Sequence, residues 1–381
     1  MDGGKYVGEG TYGCVFRPAL PCRGEHPVSA HAVIPAAMGR ADAANTLSKV
    51  FNRPESFRDE SENTKLIARI DPKQRYFVYP RTACTVTTAD LRTDRGYSHC
   101  ELLRGTRGKA FPTLKIPYGG EPLDKVLGPS GRAPPRAFRV PDPLSAYLTA
   151  LHPVAAGIVR LARAHVTHHD LKMDNILYDA NLRECRIIDF GLSLNSKDAL
   201  SPTGNPYLYS RYIFHPPEYR MSEFAGHSHA TERALATDLS ILKVSVPGLS
   251  GRRRGETLRD RLWSPAYTEW TRESYTAAFS DYAKNVYKKH DGAHGIGAGG
   301  GIARQEYMQR WANRIDIWAF GLTLLFTLHR VWPTQSTPLP AEFRAVLTAM
   351  VHPDPRKRLS PEKLLGALAP WTVGTSHAIA T

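Results

Sequence analysis

The stretch VTHHDLKMDNILYD, residues 166–179, gathers histidines, aspartates, a lysine and an asparagine within a few turns of chain. Such a set could bind a metal, form a polar turn, or move a proton and a phosphoryl group. The spacing of Asp170, Lys172 and Asn175 favours the third chemistry. Asp170 would accept the proton of an attacking hydroxyl, Lys172 would steady the transferred phosphate, and the Asn175 side-chain oxygen would ligate a metal ion. Further along, RIIDFGLS places Asp189 after an apolar strand and before Phe190 and Gly191. A carboxylate there could hold Mg²⁺ between nucleotide phosphates, because hard cations prefer carboxylate oxygen. His168 is expected to pack near Phe190 and to bond backbone rather than metal.

A second group of residues suits phosphate binding. In VGEGTYGCV, Gly8, Gly10 and Gly13 precede Val15. Glycines so spaced let backbone amides approach phosphate oxygens with no side chain in the way. The same spacing marks dinucleotide folds, where a helix follows at once. Here Val15 continues into strand-like residues, so a hairpin lid over phosphates fits better.

These residues need elements to position them. Residues 5–17 read as strand, tight loop and strand, and 18–45 as a Pro/Gly/Ala-rich inserted loop. NTLSKVF (45–51) reads as a strand, and ESFRDESENTKLIARI (55–70) as a charged helix ending at Asp71-Pro72. Residues 82–110 look like a second inserted loop before the strand TLKIPY (113–118). From 144 the pattern turns helical, with Leu144, Leu148, Leu151, Ala155, Ile158 and Leu161 on one face. Helices are also expected over 273–289, over about 315–329, and from SPEKLLGAL, where Ser360 caps and Pro361 starts the first turn. Strands early and helices late imply an α+β fold: a small sheet-rich lobe joined to a larger helical one.

Composition bounds the rest. The 381 residues carry 50 Lys+Arg against 36 Asp+Glu, a formal net charge of +14. That excess suits acidic partners such as nucleic acid or phosphorylated molecules, or simply a basic surface. Five scattered cysteines without a CxxC pair argue against a disulfide scaffold and a zinc ribbon. Buried free thiols are the expectation, with a Cys84–Cys100 contact as the alternative. The longest apolar run, IWAFGLTLLFTL, is too short to cross a bilayer. The start MDGGKYVGEG lacks an apolar leader, so no membrane span and a cytoplasmic location are expected.

With both motifs in place, the chain resembles the eukaryotic-type protein kinases. HPPEYR carries Glu218 where that family closes its activation segment, RIDIWAFG carries Asp316 where an aspartate braces the catalytic loop, and DPRKRLS supplies Arg358 as the partner of Glu218. More narrowly, GTYGCVFRPALPC, SKVF and IARIDP resemble serine/threonine kinases of nucleocytoplasmic large DNA viruses, for which host cytoplasm or virion would be the location. The resemblance implies a bilobal kinase fold with an N-lobe over 1–118 and a C-lobe over 119–381. It implies ATP and Mg as cofactors and a serine/threonine phosphotransferase acting on a protein substrate. Lys49 would hold the α- and β-phosphates while paired with a helix glutamate, Glu62 or, as the alternative, Glu60. Adenine would lie near Leu47, Ile116 as gatekeeper, Tyr118 in the hinge, and Leu177.

Three departures stand out. Leu47 replaces a small alanine over the adenine ring. His169 stands where many members have an arginine that clamps an activation-segment phosphate, so activity independent of that phosphorylation is expected. The stretch 221–305 is an insertion containing GRRRGETLRDR and YAKNVYKKH, either a docking surface for an acidic partner or nucleic acid, or a solvated elaboration. A catalytically silent scaffold and a basic nucleic-acid-binding protein on a kinase fold are the rival readings. Every catalytic position holding a competent residue weighs against the first.

Overall fold

The computed structural model describes residues 5–10, 13–30, 45–92, 97–103, 110–128, 136–195, 212–223, 229–244, 256–287, 311–332 and 337–372. The chain divides into two compact units, residues 1–120 with 186–192, and residues 121–185 with 193–381.

The first unit is a six-stranded antiparallel sheet. Its strands are β1 (Lys5–Gly10), β2 (Gly13–Arg17), β3 (Arg23–Pro27), β4 (Thr46–Phe51), β5 (Thr82–Thr87) and β6 (Ala110–Pro117), ordered β1-β2-β4-β6-β5-β3. Register sorts the side chains by face, since residues directly opposite in an antiparallel pair point the same way. Val15, Lys49, Leu114 and Ala83 form one row across β2, β4, β6 and β5. Cys14, Val50, Thr113 and Cys84 form the row on the other face.

Two expected loops are therefore partly sheet. Residues 82–87 and 23–27 are strands, and Thr88–Arg92 is a short helix. Alternation is short in TACTVT and absent in RGEHP, so neither strand had a clear period-2 signal.

The face opposite Lys49 is apolar and covered. Phe16, Leu20, Val50, Val86, Leu91, Leu103 and Phe111 bury one another there. Two disulfides cross it, Cys14–Cys100 and Cys22–Cys84. This corrects the expectation of free thiols and the Cys84–Cys100 alternative. The partners are 86 and 62 residues apart, and only the sheet order brings each pair together. The fifth cysteine, Cys185, is buried and unbridged.

One long helix, α1 (Pro54–Ile70), completes this unit. Pro54 at its first turn fits because that N–H has no helical partner, and Glu55 and Arg69 complement the two ends of the helix dipole. It stops at Asp71, whose carboxylate accepts the N–H groups of Arg75, Tyr76 and Phe77 at 3.1, 2.8 and 3.0 Å. Residues 186–192 join the unit through Ile187, which exchanges backbone hydrogen bonds with Tyr76 and Val78 at 2.9 Å each.

The second unit is mainly helical. Its central helices are α2 (Pro143–Arg163), whose N-cap Asp142 accepts from the Ser145 N–H at 3.0 Å, and α3 (Ile315–Thr327), buried along its whole length. By length and composition α2 could cross a membrane, a feature absent from the sequence expectations. In the structure 78% of its apolar window is buried inside the protein, as in a core helix. Of the insertion, α4 (Ala230–Ile241) and α5 (Arg272–Asp281) are described, and Ala234 and Phe279 pack with Tyr219, Tyr282, Ala312 and Ile315. The Arg252–Arg254 triplet and the Lys288–Lys289 pair lie outside the described residues.

Candidate active site

In the first unit, the sheet delivers the side chains expected to contact nucleotide to one face. Gly8 has open space where a Cβ would stand, as backbone approach to an anion requires. Gly13 is constrained differently, for a Cβ there would run into the Val50 carbonyl. Gly10 pairs with Gly13 to close the hairpin. Val15 lies opposite Lys49, and Leu47 opposite Ile116, so these four line the same face. The Tyr118 N–H donates to the Asn45 carbonyl at 2.7 Å, and the Arg17 guanidinium lies over the Tyr118 ring, 3.4 Å from its centroid.

Lys49 meets Glu60, not Glu62. Its ammonium is 2.6 Å from Glu60 Oε2 and 3.4 Å from Asp189 Oδ1. Glu60 is buried on the inward side of α1, whereas Glu62 is exposed and bonds Lys65 at 2.6 Å. The alternative, Glu60, is therefore the partner, because helix phase places it on the buried stripe with Thr64, Ile67 and Ala68 and leaves Glu62 off it. Burial works against the Lys49 ammonium, but Asp189 and Glu60 outweigh it and hold its pKa above the ordinary lysine value.

The Asp189 backbone is left-handed, with φ 63°. Its neighbours fix it in place, since Asn63 Nδ2 donates to the Phe190 carbonyl at 2.7 Å and the Phe190 ring meets Phe77 edge-on at 5.3 Å. Nothing in the sequence marked Asn63 for this role. His168 bonds backbone, as expected: its Nδ1 accepts from the Asp170 N–H at 3.3 Å, and its own backbone N–H serves Asp316.

In the second unit, Val166–Thr167 pair with Leu194–Asn195 as a short ladder and lead into the loop. Asp316, at the first turn of α3, accepts the His168 and His169 N–H groups at 2.7 and 3.1 Å. Those bonds hold His169 at a left-handed φ of 72° and thereby aim Asp170. The Asp170 carboxylate then collects three donors. Lys172 Nζ is 3.1 and 2.9 Å from its two oxygens, Asn175 Nδ2 is 2.9 Å from Oδ2, and the Tyr212 hydroxyl is 2.5 Å from Oδ1. With Nδ2 also bonded to the Asp170 carbonyl at 2.8 Å, the amide oxygen of Asn175 is the end suited to a cation. Leu177 is buried on the strand Ile176–Asp179.

His169 is sealed away from any clamp role. Its ring stacks on His215 at 4.5 Å, and its Nε2 is 2.7 Å from the Tyr219 hydroxyl. Burial, reinforced by His215, pushes its pKa well below the ordinary histidine value. Downstream, Glu218 and Arg358 form a bidentate pair at 2.8 and 2.9 Å, both side chains buried.

A sheet unit with one long helix carrying the Lys49–Glu60–Asp189 constellation, and a helical unit carrying the Asp170 loop braced from α3, make the fold that of a protein kinase. Consistent with this, residues 138–224 match the family model described as protein tyrosine and serine/threonine kinase. No curated protein matches the chain. The match runs from the approach to α2 through the Asp170 loop and Asp189 to Glu218, and it supports a eukaryotic-type protein kinase.

Proposed function

We propose that the protein is a serine/threonine kinase that transfers the γ-phosphoryl group of ATP to hydroxyls of a protein substrate. The observation that carries this reading is the Asp170 carboxylate gathered with Lys172 and Asn175 on one rigidly braced loop. In the proposed reaction Asp170 takes the acceptor proton as general base, and Lys172 neutralises charge on the phosphoryl group in flight. Lys49, kept protonated, binds the α- and β-phosphates. Leu47 and Ile116 on the same face, with Tyr118 and Leu177, are the proposed adenine contacts. The oxygen donors Asp189 and Asn175 suit Mg²⁺, a hard cation that would neutralise phosphate charge when bound. Serine/threonine over tyrosine rests on Lys172 at its place in the loop.

The direct test is incorporation of labelled γ-phosphate into basic protein, casein and histone by wild type and Asp170→Asn, followed by phosphoamino-acid analysis. Label lost in the mutant supports the reading, and label that persists removes Asp170 from it. The likeness to virus-encoded kinases, and an acidic partner or nucleic acid at the 221–305 insertion, belong to the same proposal. For location, the two disulfides favour an oxidising compartment over the reducing cytoplasm first expected. Thiol counting on protein isolated without reductant checks this.

A further inference from the structure

Resting on the kinase reading above, we propose that residues 97–103 brace the glycine hairpin from its outer face, with Glu9 and Cys14 as positioning residues for the backbone that would bind phosphate. The hairpin needs such a support. Among the described strands β1 is an edge strand and pairs only with β2. Its register shifts between Tyr6 and Gly8, so the ladder is interrupted just where the glycines begin. A two-stranded hairpin is marginally stable by itself, and within the sheet only β2 ties Gly8–Gly10 to the other strands.

Glu9 and Cys14 are directly opposite each other in the β1–β2 ladder, one rung from the closing pair of Gly10 and Gly13. Opposed residues of an antiparallel pair point the same way, here away from the face of Val15 and Lys49. From that side the two side chains grip three consecutive residues. Cys14 is bridged to Cys100. The Glu9 carboxylate accepts the Glu101 N–H at 3.0 Å on one oxygen and the Leu102 N–H at 3.3 Å on the other. The Tyr6 ring adds a contact to His99, 6.0 Å between centroids. The brace itself is seated in the core, for Cys100 and Leu103 are buried in the cluster that holds Phe16, Val50 and Phe111. Covering the apolar face requires only those buried side chains. The Glu9 bonds lie at the exposed surface and add no cover; what they do is hold the hairpin. Backbone held in place before a ligand arrives spares binding an ordering cost.

The test compares the full-length chain with Glu9→Ala, Glu9→Gln, the pair Cys14→Ser with Cys100→Ser, and the pair Cys22→Ser with Cys84→Ser. Amide hydrogen exchange is read over residues 5–17, and the Kd for Mg-ATP by calorimetry. In Glu9→Ala, exchange over 5–17 should quicken by about tenfold while β4 and β6 exchange as in wild type and the melting temperature stays close to it. The Kd should rise by about tenfold, equivalent to about 1.4 kcal/mol. Glu9→Gln keeps an acceptor oxygen without the charge and should fall between the two. Loss of the Cys14–Cys100 bridge should raise the Kd likewise. Loss of the Cys22–Cys84 bridge, which joins residues outside the hairpin, should leave it within about twofold of wild type. Unmoved exchange in Glu9→Ala overturns the brace, as does a Kd that rises equally on losing either bridge, which would mean general loosening. Tighter ATP binding by both Glu9 variants would mean that only charge is at work, also against the proposal. Wild type that binds Mg-ATP with an unmoved Kd in Glu9→Ala sinks the brace alone, whereas wild type that binds no Mg-ATP sinks the kinase reading and the brace with it.

Discussion

At the residue scale, the ion pair of Lys49 discriminates between two glutamates two positions apart. Glu60 is buried against Lys49, and Glu62 pairs with Lys65 at the surface. On the proposed function, Glu60→Gln should therefore cut kcat/KM by about 10²-fold or more, since positioning of the phosphates accounts for most of the catalysis in phosphoryl transfer. Glu62→Gln should change it less than about twofold, because exposed pairs contribute about 0–1 kcal/mol. Parallel kinetics and ATP-binding measurements on the two variants check both. For Asp170→Asn, the loss of the proposed general base should lower kcat by about 10²- to 10⁴-fold with the fold intact, read as label incorporation beside a normal melting curve.

At the element scale, the second unit is held by buried charge. Glu218 and Arg358 join segments 140 residues apart, and removing one partner would leave the other charge desolvated. Arg358→Ala should cost about 3–5 kcal/mol, measured by denaturant unfolding. The insertion is fastened by the same device. Arg220 lies 3.3 Å from Asp238 on α4, and the Tyr275 hydroxyl of α5 donates to Asp238 at 2.8 Å, all three buried. Asp238→Ala should therefore destabilise the unit by a similar amount. Helices α4 and α5 of the insertion are thus part of the core, and the proposed docking role would fall to basic residues outside them. Neutralising Arg252, Arg253 and Arg254 should weaken salt-dependent nucleic-acid binding if that role exists, and equal binding by both proteins would remove the triplet from the argument.

At the scale of the whole molecule, two conditions should tune stability. Burial lowers the pKa of His169 well below, and that of His352 to about 4 from, the ordinary value of 6.5. His352 Nδ1 accepts the Asp354 N–H at 3.0 Å, which requires the unprotonated nitrogen. The unfolded chain binds these protons more readily than the folded one, so stability rises with pH in this range. The contribution is full above about pH 6.5 and is lost as the pH falls towards 4. Melting temperature should fall over that window, with a shallower fall in His352→Asn. Reductant is the second condition. Disulfides typically stabilise by about 2–4 kcal/mol each, so reduction should lower the melting temperature, and Cys14→Ser with Cys100→Ser should reproduce part of the effect without reductant.

Much of this site was legible along the chain because its residues act through local spacing. Asp170, Lys172 and Asn175 lie on one turn of backbone, Asp189 follows its own strand, and the glycines of the hairpin are close neighbours. A loop of that length restricts relative positions by covalent geometry, so residue type and spacing carried the proposed chemistry. The amphipathic stripe of α2 was local in the same sense. What only the tertiary structure decided involves partners far apart in sequence. The phase of α1 against β4 selected Glu60, the sheet order joined Cys14 to Cys100 and Cys22 to Cys84, and the chain leading to Glu218 brought Tyr212 onto Asp170. Short strands with weak alternation carry little periodic signal, and hydrogen bonds or bridges between distant residues carry none. Their energy depends on distances that exist only once the chain has folded.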